Sequence, residues 1–211
     1  MAAGPPDAYS RIEVPLTPND LGPAATVCLW YKPNWDYRNR ESFRHAIIEN
    51  HTGFTLFEAA AAETKRIFQL SWGDGGEYLS FRMEDEVDRD YEVPEDKVSE
   101  TTVLPKFHQL KSNQWYHIAV TWDFSEQPHT IALFVNGEEI GRTTMNGQDF
   151  AKFEPFTFGA HRHDYQGNGS ANGVLDDIRA YNRVLNIKEI DQLYQNNKNI
   201  KDGLLMYLSF D

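Results

Sequence analysis

The chain has one cysteine among 211 residues, Cys28, so no intrachain disulfide can form. It lies in the apolar run TVCLWYKP, where a buried, inert thiol is expected. No run approaches 18 consecutive apolar residues, so no transmembrane helix and no membrane insertion are expected. The opening MAAGPPDAYS lacks the apolar stretch of a signal peptide. Basic residues are scarce, with 20 Lys and Arg against 32 Asp and Glu and a net charge of −12. That imbalance argues against nucleic acid as a partner, because tracking phosphates needs a basic surface. It also disfavours an anionic membrane surface. A neutral partner, a cationic one or a bound cation remains compatible.

What the chain does have is a core. Hydrophobic residues make up 40% and aromatics 13%, enough to exclude disorder on composition. The length fits one large all-β domain. Residues 1–8 are small and Pro-rich and read as a loose N-terminal segment, which leaves 9–211 as a single domain. Strands are expected over 10–16, 25–33, 46–50, 54–59, 66–72, 77–84, 114–123, the two arms of 129–143, 153–160, 174–182 and 203–211. PNDLGP (18–23) reads as turn material. The stretch 58–65 is expected to be a loop or a short helical insert, and the acidic stretch 85–100 a solvated loop. Asn136-Gly137 is the strongest hairpin signal in the chain. Residues 186–197 show helical spacing, with Asn186 as N-cap. Many short strands with one short helix near the C-terminus predict an all-β, two-sheet antiparallel β-sandwich.

GVLDDIRAYNRVLN (173–186) places two carboxylates, Asp176 and Asp177, inside a strand. Asp is depleted in strands, and a buried carboxylate needs donors or a cation. Strand neighbours point to opposite faces, so at most one faces the core. Two readings stay open: one Asp bonds Arg179 or backbone amides while the other is exposed, or the pair helps to bind a cation.

The polar loops carry the other candidates. Trp35, Tyr37, Arg38 and Arg40 lie in the loop 34–45, and His161, His163, Asp164 and Tyr165 in the loop 161–173. Aromatic faces stack on sugar C–H surfaces while polar tips bond hydroxyls. His161 and His163, two apart, could share a strand face and bind a transition metal, but four ligands are needed for a closed site. Hydrogen-bonding loop histidines are the simpler reading. Trp30, Trp115 and Trp122 lie in strand patterns and are expected in the core.

WYHIAVTWD, IALFVNGEEIG, FTFGA and GVLDDIRAYNRVLNIKEIDQLY occur in an order and spacing that resemble laminin-G-like jelly rolls, relatives of the concanavalin A-like lectins and pentraxins. The likeness is good over 114–194 and looser over 9–113. It implies a jelly-roll β-sandwich. Family members often begin with a strand resembling LLxYLSFD, which here stands at 204–211. That segment is expected to close this domain's own sandwich.

The resemblance further implies a structural Ca²⁺ near the sheet edge, with Asp176, Asp177 and Asp211 as carboxylate ligands, since calcium takes oxygen donors. It implies a non-catalytic module binding a glycan or polysaccharide through rim loops or the concave face. The alternative is a structural or protein-interaction domain for adhesion or particle decoration, because a fold does not fix a function. A third reading is a divergent glycoside hydrolase. Glu86 and Asp88 match the first two places of that scaffold's alternating acidic strand, but Asp90 stands where Glu belongs and Arg89 where an apolar residue should pack. An extracellular or surface-associated location is implied, and the oligomeric state is not readable.

Overall fold

A computed structural model describes residues 11–34, 54–60, 66–73, 78–85, 110–145, 153–159, 171–196 and 199–210. Eleven strands and two helices are present among them: β1 (Ile12–Glu13), α1 (Pro18–Leu21), β2 (Ala24–Pro33), β3 (Phe54–Ala60), β4 (Arg66–Gly73), β5 (Tyr78–Asp85), β6 (Tyr116–Asp123), β7 (His129–Val135), β8 (Glu138–Met145), β9 (Thr157–Phe158), β10 (Gly173–Tyr181), α2 (Ile187–Asn196) and β11 (Leu204–Leu208). One sheet has the order β1-β9-β3-β4-β5 and the other β11-β10-β2-β6-β7-β8. All pairings are antiparallel. The two sheets form the sandwich that the strand pattern predicts.

The inner faces share one core. β6 contributes Tyr116, Ile118, Val120 and Trp122 to it, β2 contributes Val27, Leu29 and Tyr31, and the five-stranded sheet contributes Phe57, Phe81 and Phe158. Each large apolar side chain removed from water stabilises the fold by about 1.5–3 kcal/mol.

The outer face of the six-stranded sheet is also partly covered, which is why β6 is buried along nearly its whole length. Cys28, Ala119, Ala132, Phe134 and Tyr181 meet Leu185 and the Ile190 and Leu193 side chains of α2. Cys28 pairs with Ala119 across β2 and β6, and these small residues let the helix approach closely. Burial pushes the Cys28 thiol up to about 12, so it stays protonated, as a buried thiol should.

The closing signature NRVLNIKE builds a clasp. Asn186 Oδ1 accepts the Lys188 and Glu189 amides, and Glu189 accepts the Asn186 amide in return, completing a capping box. Arg183 grips the Glu189 carboxylate with both terminal nitrogens, at 3.0 and 2.7 Å, while its Nε donates to the Asp202 carbonyl. Thr26 Oγ1 donates to the Arg183 carbonyl and accepts the Leu185 amide, both at 2.9 Å. One hydroxyl thus ties β2 to the β10–α2 turn.

Several boundaries differ from the sequence reading. PNDLGP contains a one-turn helix, because Thr17 and Asp20 form a capping box and Pro18 opens the turn. Among the described residues of 10–16 and 153–160, only Ile12–Glu13 and Thr157–Phe158 pair as strand. β3 runs on to Ala60, with Ala59 in the core, so the helix propensity of the alanines yields there to sheet pairing. Asn136 and Gly137 both take positive φ, 51° and 83°, as a type I′ hairpin requires. The strand expected over 46–50 lies outside the described residues, as does the loop expected over 85–100 apart from Asp85, which ends β5.

Replacing Thr26 with Val keeps its shape but strands the buried Leu185 amide. The expected loss is about 1–3 kcal/mol, seen as a lower urea midpoint with an unchanged m-value.

Candidate functional site

At one end of the sandwich the two loops singled out in the sequence share a root. The Asn34 amide, at the end of β2, donates to the Asn172 carbonyl, just before β10, at 3.0 Å. The Ala171 amide bonds the Gly159 carbonyl at 2.6 Å, and the Gly159 amide bonds the Leu56 carbonyl at 2.9 Å. That chain of bonds links both sheets at one rim. Tyr31 reaches through the core to donate its hydroxyl to the Ala171 carbonyl at 2.6 Å. Gly173 is needed here: a Cβ would lie 2.5 Å from the Tyr31 ring and 2.6 Å from the Lys32 carbonyl. Trp35, Tyr37, Arg38, Arg40, His161, His163, Asp164 and Tyr165 lie outside the described residues, as do Glu86, Asp88 and Asp90. What the structure places is Asn34, where the first loop begins, and Gly159 and Ala171, the described residues on either side of the second.

Asp176 and Asp177 sit at a bulge. Asp176 pairs with Trp30 and Arg179 with Cys28, so Asp177 and Ile178 together oppose Leu29. Asp177 takes a left-handed φ of 50°, which Asp tolerates better than most residues. The extra residue resets the alternation. Leu175 and Ile178 both face the core, and Arg179 and Tyr181 lie on the outer face.

The Asp176 carboxylate accepts the Asp177 amide at 2.7 Å and the Phe210 amide at 3.0 Å. The Asp177 carboxylate accepts Arg179 at 3.4 Å and the Tyr207 hydroxyl at 2.5 Å. Arg179 is only 2% exposed. It also donates to the Asp177 carbonyl and lies 4.3 Å from the Tyr207 ring centroid. The bond to Asp177 raises the Tyr207 phenol above its usual range. The strand therefore shows protein donors at both carboxylates: backbone amides at Asp176, a guanidinium and a phenol at Asp177.

A calcium ion would meet carboxylates that protein donors already engage at Asp176 Oδ1 and Asp177 Oδ1. Arg179 already supplies the positive charge, and no group of three or more His, Cys, Asp or Glu among the described residues could hold a metal. Six to eight oxygens are required. Asp211, the third expected ligand, lies outside the described residues.

Of the three strand tryptophans, only Trp122 is fully in the core. Trp30 is partly exposed. Trp115 lies one residue before β6 and is 40% exposed, with the Lys32 ammonium 4.9 Å from its ring centroid. Its position at i−2 from His117 placed it on the outer face, and α2 covers that face only from His117 onward. That limit of cover was not visible in the strand pattern.

His117 lies beneath the helix edge, between Trp30 at 5.3 Å and Tyr194 at 6.4 Å. Neither ring nitrogen has a hydrogen-bond partner among the described residues. Burial, aided by the positive charge of Arg179, lowers it from 6.5 to about 4.

The chain belongs to the concanavalin A-like lectin/glucanases superfamily, whose family model matches residues 6–191. Among curated proteins no sequence matches it. Solved structures share the fold at low identity. The heptameric SAP-like pentraxin of Limulus polyphemus is 14% identical, with a TM-score of 0.56 over 90% of this chain and 80% of that one. The CBM40 module of the Ruminococcus gnavus IT-sialidase, solved with alpha2,3 sialyllactose, is 13% identical, with a TM-score of 0.54 over 88% and 92%. Domains LG4-5 of the mouse laminin alpha1 chain are 13% identical, with a TM-score of 0.56 over 85% of this chain and 41% of that one. At these identities the likeness is one of fold.

Two outcomes follow from the bulge and the buried imidazole. Asp177→Ala removes the Arg179 partner and puts Ala at positive φ, for an expected loss of about 3 kcal/mol. Asp177→Asn, which tolerates that φ and keeps an acceptor, should lose clearly less in the same denaturation series. For His117 the folded form binds its proton more weakly than the unfolded form. Stability is therefore full above about pH 6.5 and falls towards pH 4, by about 3 kcal/mol in all. His117→Leu should remove that part of the pH dependence, read as the wild-type minus variant unfolding free energy at pH 7 and pH 4.5.

Proposed function

We propose that the protein is a non-catalytic carbohydrate-recognition module that binds a glycan or polysaccharide at the rim where β2 ends and β10 begins. The observation that carries this reading is the Asn34–Asn172 hydrogen bond, which sets the roots of the loops 34–45 and 161–173 side by side. Loops on a rigid scaffold are where binding residues concentrate. Trp35, Tyr37 and Tyr165 would offer stacking faces, with Arg38, Arg40, His163 and Asp164 as hydrogen-bonding groups. Similarity to a carbohydrate-binding module supports the reading at the level of fold.

A second reading, a protein-interaction or adhesion domain, is favoured by a different observation. Leu205, Tyr207 and Phe210 are exposed on and just beyond the edge strand β11, and exposed apolar groups at a sheet edge suit a protein contact. An extracellular or surface-associated location fits both readings.

A glycan and polysaccharide array, run with calcium and with EDTA, separates them. The carbohydrate reading expects binding that Trp35→Ala or Tyr165→Ala weakens about tenfold or more, with the fold intact by circular dichroism. A blank array on folded protein would shift the weight to a protein partner. Calcium at Asp176, Asp177 and Asp211 is a separate proposal, and it expects a higher melting temperature on calcium addition. Release of reducing ends from β-glucans, abolished by Glu86→Gln, would instead establish a hydrolase.

A further inference from the structure

The geometry points to a second element of this recognition surface: an outer-face ledge made by Trp115, Lys32 and Trp30, which selects saccharides bearing a carboxylate or sulfate. This rests on the carbohydrate reading above and adds a charge class to it.

Four observations place the ledge. Trp30 pairs with His117, and Lys32 follows two residues along β2 on the same face. Its ammonium lies 4.9 Å from the centroid of Trp115, which sits two residues before His117. Val174, opposite Lys32 on β10, is 43% exposed and extends the apolar surface. Tyr194 of α2 touches Trp30 and His117, so the helix forms the lower border of the ledge. All of this stands at the rim where the two loops are rooted, since Pro33 and Asn34 follow directly and Gly173 pairs with Pro33.

Charge selectivity at the ledge rests on Lys32. In a chain of net charge −12, carboxylates are plentiful. Among the described residues, Arg11, Arg142, Arg179 and Arg183 are each paired with one. Lys32, like Lys111, Lys188 and Lys201, has no carboxylate partner there, and what sets it apart from them is the indole beneath its ammonium. Asp176, in the neighbouring row, has Oδ1 engaged by two backbone amides. A sugar ring stacked on Trp115 would therefore set an anionic substituent against an uncommitted ammonium. The net charge also limits the ligand's size. Long polyanions are repelled by the whole molecule, whereas a single anionic group within a Debye length of about 8 Å feels Lys32 first. The ligand class is an acidic mono- or oligosaccharide.

The test uses the full chain on matched glycan pairs, each a uronic acid or sulfated oligosaccharide beside its methyl ester or unsulfated counterpart. Wild type is expected to prefer the charged member. Lys32→Gln should reduce that preference about fivefold, to near parity, while neutral binding persists. Trp115→Ala should weaken both members about tenfold. Lys32 and Trp115 lie outside the core, and melting temperature confirms folding of each variant. Neutral and charged glycans bound alike, with both variants unaffected, would overturn the ledge and leave the rim reading standing. No glycan bound by folded wild type would overturn both.

Discussion

The six-stranded sheet depends on one extra residue. Without the bulge at Asp177, strict alternation along β10 would carry Asp177 toward the core with Leu175 and set Ile178 outside. With it, Ile178 and Ala180 pack inward, and Arg179 and Tyr181 take the outer row. The carboxylate at the bulge then faces the guanidinium that the shift has buried. Charge pairing and phase correction are one event, because the residue that breaks the register also neutralises the cation left beneath Tyr207. A buried arginine without such a partner would be strongly destabilising.

The outer row explains why a short helix suffices at the C-terminus. α2 has only ten residues, too few to be stable alone in water. It is held by a capping box, by the Arg183–Glu189 pair, and by Ile190 and Leu193 over Cys28 and Ala119. The signature NRVLNIKE thus encodes attachment. Its residues bond to one another and to Thr26, which accounts for their spacing without any ligand.

The fold was legible in the sequence where a single local rule applied. Asn-Gly gave the β7–β8 hairpin, helical spacing after Asn186 gave α2, and apolar alternation gave β2 and β6. It was less legible where tertiary pairing overrode propensity, as at Ala59 and Ala60, or where a cap rescued a turn, as at Thr17. The two carboxylates announced that something unusual occurs at 176–177, and one open reading named Arg179 and backbone amides as partners. The bulge itself had no signal, because registry against β2 is a relation between residues about 145 positions apart. The same holds for Trp115: a strand pattern tells which face a residue joins, but not where the helix covering that face stops. The rim was read as two separate loops, and only the Asn34–Asn172 bond shows that they share a base.

That sequence distance has a consequence for how the chain is made. β2 lies in the middle of its sheet, between β6 and β10, yet it is the first long strand to be synthesised. Its partner on one side is complete at residue 123, but the other arrives only with residues 173–181. Pairings so distant in sequence are slow to close. A nascent chain emerging N-terminus first therefore carries a ten-residue apolar strand with a bare edge for about fifty further residues of synthesis, a window in which a chaperone or a like strand from a neighbouring chain competes with β10.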